Sequence, residues 1–339
     1  MPEMRRDPVT KNWSIIATER ARRPESSLAK HLITGDEIAH DPTCFFCKGN
    51  EHSTPPEVLA YRDNNNSPNS PDWNLRVVPN KFAALSFNED FRINQENPIK
   101  VNCYARGTAE VIIESPHHSR NLALQHVNHV TKVLTAYRER YLSLAEEKSI
   151  KYISIFRNNG HQAGASLAHP HSQIMATPII PVNIVNELSG ANDYYESTGR
   201  CVYCDMVKTE LKDKSRIICE NDDFIAFAPY ASRTPFETWI VPKFHNARFQ
   251  DINNDQIRTL AEVWKSVLYK IYVGLENPPY NYFIHTSPTQ RVVDHYYHWH
   301  MELIPKLTIS AGFELGTGMY INISTPEDCG DYLESIEVK

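Results

Sequence analysis

Residues 167–173 read Leu167-Ala168-His169-Pro170-His171-Ser172-Gln173, two imidazoles separated by one proline and followed by a carboxamide. A neutral imidazole is a ligand for transition metals and a nucleophile toward phosphorus, so the segment is a candidate phosphoryl-transfer site. The glycine-bearing run from Asn158 to Ser166 leads into it. Pro170 removes a backbone donor and keeps the segment extended. The two imidazoles are expected to turn to opposite sides, one toward a buried metal and the other toward substrate. An isolated pair of this kind also occurs as hydrogen-bonded core histidines, so the wider pattern has to decide.

The elements that must position this segment repeat along the chain. Val111-Ile112-Ile113 and Tyr152-Ile153-Ser154-Ile155-Phe156 are rich in β-branched and aromatic residues and predict strands. Between them, Leu122 to Lys148 carries apolar residues at helical spacing. The order is therefore strand, helix, strand, His-Pro-His. It recurs as strands at Phe224–Phe227 and Thr238–Val241, a helix over Asn254–Leu275, a strand at Tyr282–Ile284, and then His298-Trp299-His300. Trp13–Ala17 predicts a further strand, Asp63–Asp72 a surface loop, and 181–199 a short helix between the halves.

Candidate metal ligands follow the same duplication. Cys44-x-x-Cys47 is followed by His118 and His169, and Cys201-x-x-Cys204 by His245 and His298. The third and fourth ligands are 51 residues apart in the first set and 53 in the second. Two thiolates and two imidazoles form a closed tetrahedral site that suits zinc, with each C-x-x-C turn supplying two ligands. The second site has further possible ligands in Glu187, His285 and His300, and its metal is zinc or iron.

Composition narrows the class. With 339 residues, 41% hydrophobic and 22% charged, the chain has material for two domains with full cores. A net charge of -6 argues against a dominant nucleic-acid surface, and no apolar run reaches the length of a membrane span. No secretory leader pattern opens the sequence. Seven cysteines, four of them in C-x-x-C pairs, suit metal binding in a reducing compartment, and the expected location is cytoplasmic.

These residues resemble the galactose-1-phosphate uridylyltransferase family, the transferase branch of the histidine-triad superfamily, over nearly the whole chain. The matching segments are Arg5–Thr10 with Trp13, Glu19–Pro24, Cys44-Phe45-Phe46-Cys47, Val78–Phe82, Ser115–Ser119, Asn158–Gln173, Thr234–Thr238 with Val241-Pro242-Lys243, and Gly312-Phe313-Glu314. The resemblance implies an α+β fold of two tandem histidine-triad-like halves, each an antiparallel sheet packed with helices. The expected division is residues 1–180, carrying the catalytic His-Pro-His and one zinc site, and residues 181–339, carrying the second metal. It also implies transfer through a covalent nucleotidyl-histidine, with His171 as nucleophile and Gln173 and Ser166 beside the reacting phosphate. Asn158 and the backbone at Gly164 assist. Arg20 and Arg23 are implied to meet phosphate or nucleotide, Phe45, Asn80 and Phe82 to border base and ribose, and Phe313 and Glu314 to approach the sugar. The implied partners are a nucleotide sugar and a sugar phosphate or phosphate, with no nucleic acid and no membrane, in a homodimer whose subunits complete each other's sites.

Gln173 is informative because histidine-triad hydrolases have a third histidine there, able to protonate a poor leaving group. An amide has no such proton, so the leaving group must already be a good one, as a sugar phosphate is. Some departures bear on substrate. Thr308 and Ile309 stand near the place of a Lys-Phe pair that contacts the sugar phosphate in the familiar enzymes, Lys81 follows Asn80 where Asp is familiar, and Ser172 replaces a glycine. With the second C-x-x-C, these features are similar to the plant ADP-glucose phosphorylase branch, which moves AMP rather than UMP. The leading expectation is uridylyl transfer between UDP-glucose and a hexose-1-phosphate such as galactose-1-phosphate, with adenylyl transfer of the ADP-glucose phosphorylase or adenylyl sulfate type as the alternative. Hexose-1-phosphate, phosphate and adenylyl sulfate all stay open as partner substrates. A zinc-stabilised nucleotide-binding module without catalysis is the reading of another class.

Overall fold

The structure, a computed structural model, describes residues 2–22, 38–64, 67–88 and 90–338. The first half contains β1 (Glu3–Arg6), β2 (Trp13–Ile16), β3 (Leu59–Arg62), β4 (Trp73–Pro79), β5 (Ile93–Gln95), β6 (Val101–Cys103) and β7 (Thr108–Ile113). Helix α1 (Val127–Ala145), β8 (Tyr152–Asn159) and β9 (His171–Thr177) complete it. The second half runs through α2 (Val182–Thr198), α3 (Val202–Asp213), β10 (Ile217–Glu220), β11 (Phe224–Phe227), β12 (Thr238–Pro242) and α4 (Asn254–Gly274). It ends with β13 (Tyr280–His285), β14 (His300–Pro305), α5 (Gly312–Thr317), β15 (Tyr320–Asn322) and α6 (Pro326–Glu334).

Ten strands form one antiparallel sheet in the order β10-β11-β12-β14-β13-β8-β9-β7-β4-β3. Outward from the β8/β13 junction, the two arms repeat: the strand after the long helix, then the strand opened by the second histidine of the His-x-His motif, then three more. The halves thus share one sheet, joined through pairs such as Phe156 with Phe283 and Asn159 with Tyr280. Strands β1, β2 and β15 form a small separate sheet, in which the C-terminal strand pairs parallel to β2.

Helices α1 and α4 pack side by side on one face of the ten-stranded sheet. Helix α4 buries Ile257, Leu260, Trp264, Val267, Leu268 and Ile271 at helical spacing, against Ile153, Ile155, Ile174, Ile240, Ile284, Met301 and Leu303 of the strands. Each large apolar side chain so buried contributes about 1.5–3 kcal/mol, which offsets the loss of conformational freedom. A capping box between Asn253 and Gln256 fixes where α4 begins. The strand period of two then fixes the chemistry. In β9, Ser172, Ile174 and Ala176 point to the helices, which leaves His171 and Gln173 on the opposite face.

Two elements differ from the sequence pattern. The stretch from Leu122 opens as a separate 3-10 turn at Leu122–Leu124, and α1 starts at Val127, where the His126 side chain accepts from the Asn128 N–H. The helix expected to be short within 181–199 runs for 17 residues and stops at Gly199, which is left-handed at φ 68°. In that helix, a Cβ added to Gly190 would stand 1.9 Å from the Val9 carbonyl oxygen. Gly190→Ala gains about 1 kcal/mol of helix propensity and costs about 1–3 kcal/mol of overpacking against backbone, so its melting temperature in calorimetry is expected to fall. Among the described residues, no helix is long and apolar enough to cross a membrane.

Candidate active site and metal centres

Cys44, Cys47, His118 and His169 come together, their ligand atoms all within 4.8 Å of one another. The Cys47 Sγ lies 3.4 Å from His118 Nδ1 and 3.7 Å from His169 Nδ1, and Cys44 Sγ lies 3.6 Å from His169 Nδ1. Bonds of about 2.3 Å to sulfur and about 2.0 Å to nitrogen in a tetrahedron place sulfur and nitrogen about 3.5 Å apart, so a zinc ion fits this donor set. The remaining groups are aligned for it. His169 Nε2–H donates to the Ser115 carbonyl at 2.7 Å, which leaves Nδ1 for the cation, and burial lowers the pKa of His169 to about 4. The Asp41 and Phe46 backbone N–H groups donate to the two sulfurs. Burial pushes the Cys47 thiol up to about 11, a cost that a bound metal would remove.

The duplicated set Cys201, Cys204, His245 and His298 forms a second cluster of the same size. Cys204 Sγ stands 3.3 Å from His245 Nδ1 and 3.6 Å from His298 Nδ1, which again suits zinc. A hydrogen bond from Cys204 and others from both imidazoles hold the Cys201 thiol well below the usual range, a charge distribution poised for a cation. The further residues considered for this site sort elsewhere. Glu187, His285 and His300 gather with Glu302 in a third buried group. There His285 Nδ1 is 2.8 Å from Glu187 Oε1, His300 Nε2 is 3.4 Å from Glu302 Oε1, and Arg233 pairs with both Glu237 and Glu302.

His171 opens β9 at the junction of two cavities. Its Nδ1–H donates to the His169 carbonyl at 2.8 Å, so the lone pair sits on Nε2. Burial lowers its pKa and favours the neutral ring, against which Phe46 packs edge-on at 5.4 Å. Strand alternation alone would set residues two apart on the same face, so the expected opposition of the two imidazoles has another origin: His169 and Pro170 precede β9, and the His169 ring turns to the thiols.

The larger cavity, about 590 Å³, is lined by Asn158, Ser166 and His171 together with Asn121, Arg157 and His161. The smaller one, about 180 Å³, is lined by Phe45, Asn80, Phe82, Ser166, His171 and Gln173. Phe45 is 54% exposed and Phe82 87%, so two aromatic faces stand open at its mouth. Gly164, left-handed at φ 89°, turns the backbone between Asn158 and Ser166. Arg20 lies on the 3-10 turn Thr18–Arg22 after β2 and lines neither cavity; Arg23 falls outside the described residues. On α5, ended by left-handed Gly318, Phe313 is exposed and Glu314 half-buried, and neither lines either cavity. Arg157 lines the larger cavity, and Val78 and Val111 the smaller, without having been named as site residues from the sequence. The only trace of Arg157 is an arginine inside an otherwise apolar strand pattern.

The second half repeats the arrangement with altered chemistry. His300 opens β14 as His171 opens β9, and its Nδ1 lies 3.2 Å from the His298 carbonyl. Glu302 occupies the place of Gln173, and the His300 ring is fully buried.

Residues 1–181 match the N-terminal domain of galactose-1-phosphate uridyl transferase, and residues 187–319 match its C-terminal domain. The chain belongs to this family and is a nucleotidyltransferase. Among its relatives, ADP-glucose phosphorylase of Arabidopsis thaliana is 37% identical over 99% of this chain and 93% of its own. The galactose-1-phosphate uridylyltransferase of Haemophilus influenzae is 29% identical over 91% of this chain and 85% of its own. A crystal structure of an Arabidopsis thaliana ADP-glucose phosphorylase with bound ADP-glucose superposes with a TM-score of 0.83 at 36% identity, covering 100% of both chains. A uridylyltransferase structure gives 0.76 at 27% identity, covering 99% of this chain and 98% of the other.

Proposed function

We propose that the protein moves a nucleoside monophosphate from a nucleotide sugar to a phosphate acceptor in two steps, through a bond between His171 Nε2 and the α-phosphorus. The observation that carries this reading is the placement of His171 between the two cavities, with Nδ1–H tied to a carbonyl and Nε2 left as the base. In the first step the Nε2 lone pair forms the N–P bond, the P–O bond to the sugar phosphate breaks, and its electron pair leaves with that group. In the second step an acceptor phosphate oxygen attacks phosphorus and the N–P bond opens, which restores the imidazole. Neither step needs a proton from the enzyme, in keeping with an amide at Gln173.

Ser166 and Gln173 are assigned to the phosphoryl oxygens, with Asn158 and the Gly164 turn assisting, and Phe45, Asn80 and Phe82 to base and ribose. Gln173→Glu sets a carboxylate against the developing phosphoryl charge. It is expected to slow covalent-adduct formation by roughly 10²–10³-fold in rapid-quench mass spectrometry. Glu302 stands at the equivalent place in the second half, which supports catalysis in the first half alone. Zinc held by Cys44, Cys47, His118 and His169 would anchor the 41–50 loop to the start of β9 as a structural cross-link, and Cys201, Cys204, His245 and His298 would hold a second ion. Four thiolates of this kind suit a reducing compartment such as the cytoplasm. A homodimer gives the exposed Phe313 and the half-buried Glu314 a place, at the sugar in the partner subunit's site.

ADP-glucose is the donor we favour, with phosphate as acceptor. The support is the 37% identity to an ADP-glucose phosphorylase against 29% to a uridylyltransferase, together with Lys81, Thr308 and Ile309 at positions where the familiar uridylyltransferases differ. UDP-glucose with a hexose-1-phosphate acceptor is the second reading, supported by the family match. Intact-protein mass spectrometry after separate incubation with each nucleotide sugar decides between them. An AMP-sized adduct is expected; a UMP-sized adduct alone would establish the second reading, and no adduct with either would reject the covalent step.

A further inference from the structure

Ser172 has no part in the transfer chemistry, although it follows the nucleophile directly. Its side chain points away from both cavities, toward α1, and is 1% exposed. There its Oγ accepts the Tyr137 O–H at 2.7 Å. The Tyr137 hydroxyl is 2.5 Å from that of Tyr282, and both phenols lie within hydrogen-bond reach of Glu114 Oε1, at 3.2 and 3.3 Å. The other carboxylate oxygen pairs with Arg157, whose Nη2 donates to Asn159 Oδ1 at 3.0 Å.

The same glutamate grips the chain at two more points. Its backbone N–H donates to the Pro170 carbonyl at 3.1 Å, and its own carbonyl accepts from His129 Nε2 at 2.5 Å. Five elements thus converge behind one histidine. One of them, β13, belongs to the second half and supplies Tyr282.

A buried ion pair with two phenols and a hydroxyl is an expensive way to fill a core, since apolar side chains would do so without desolvating charge. The second half does just that: Met301 holds the position equivalent to Ser172 and packs in the apolar core. Arg157 Nε is even left without a partner. Such a network gives a defined geometry, because no member can shift without stranding another polar atom.

We propose that Ser172, Tyr137, Tyr282, Glu114 and Arg157 are positioning residues that fix the start of β9, and with it the His171 ring, so that the second half takes part in the first half's chemistry. This rests on His171 as the covalent nucleophile.

The test is single-turnover adduct formation at saturating donor, read beside donor affinity, zinc content and melting temperature. Tyr137→Phe and Tyr282→Phe keep the rings, and Ser172→Gly keeps the fold with a smaller residue. Each is expected to slow the covalent step by roughly 10-fold, with affinity within about 3-fold and zinc content unchanged. The double phenylalanine variant is expected to be little slower than either single one, because the residues act as a unit. Arg157→Lys is expected to retain most of the rate that Arg157→Met loses. Variants with lowered melting temperatures but the normal covalent rate would overturn the positioning role. An unmodified protein that forms no adduct would instead overturn the covalent reading, and this proposal with it.

Discussion

His171→Ala is expected to lose nucleotidyl transfer by at least roughly 10³-fold while keeping its metal and its fold. A two-step path has no substitute for its nucleophile: the remaining groups bind and orient phosphate, but none supplies the electron pair that forms the N–P bond. The ring's Nδ1 bond goes to the backbone carbonyl of His169 and not to a ligand atom of the cluster, so its removal is expected to leave the Cys44, Cys47, His118 and His169 donor atoms in place. Mass spectrometry of the donor-treated variant should find no adduct, and elemental analysis should find the metal of the unmodified protein. Normal turnover in this variant would remove His171 from the mechanism.

Cys44→Ser is expected to act in the opposite order, on metal first and chemistry second. Binding of a structural zinc has been valued at about 10–16 kcal/mol in small finger domains, comparable with the whole stability of about 5–15 kcal/mol of a typical domain. Removing one thiolate should therefore cost one metal equivalent, lower the melting temperature sharply, and release the loop that leads through His169 to His171. Cys201→Ser is expected to cost the other equivalent and stability too, with adduct formation at His171 retained in the folded fraction. Elemental analysis and calorimetry of the two variants give the comparison. Unchanged zinc in either would reject its ligand assignment.

Much of this arrangement was legible in the residues. The two Cys2His2 clusters were accessible because a metal site demands particular residue types, and the duplication repeated their spacing; the structure gathers the same eight residues into two candidate sites. Helices α1 and α4 were accessible because a one-sided apolar face leaves a period in the sequence. The junction of β8 with β13 left no such mark. Periodicity says which face of a strand is buried, not which of several distant strands lies beside it.

The grouping of Glu187, His285 and His300 with Glu302, rather than with His298, was hidden for a similar reason. Residues two apart on either side of a strand start can face different ways, and only the backbone decides. The resemblance implies that Phe313 and Glu314 approach the sugar, yet in a single chain they sit on α5 and line neither cavity. The ion pair of Arg157 with Glu114 joins residues 43 apart, and no spacing rule connects a charge on one strand with its partner beyond the end of another.

The shared sheet makes the two arms inseparable in a way that the domain-sized matches at 1–181 and 187–319 do not suggest. Strands β8 and β13 are inner edges that cover one another. A chain cut near residue 181 would expose a full row of unpaired backbone donors and acceptors on each fragment, an invitation to self-association. Because a covalent tether holds the two edges together, their pairing does not weaken on dilution, unlike that of two separate subunits. His171 and Tyr282 therefore stay in register at any protein concentration.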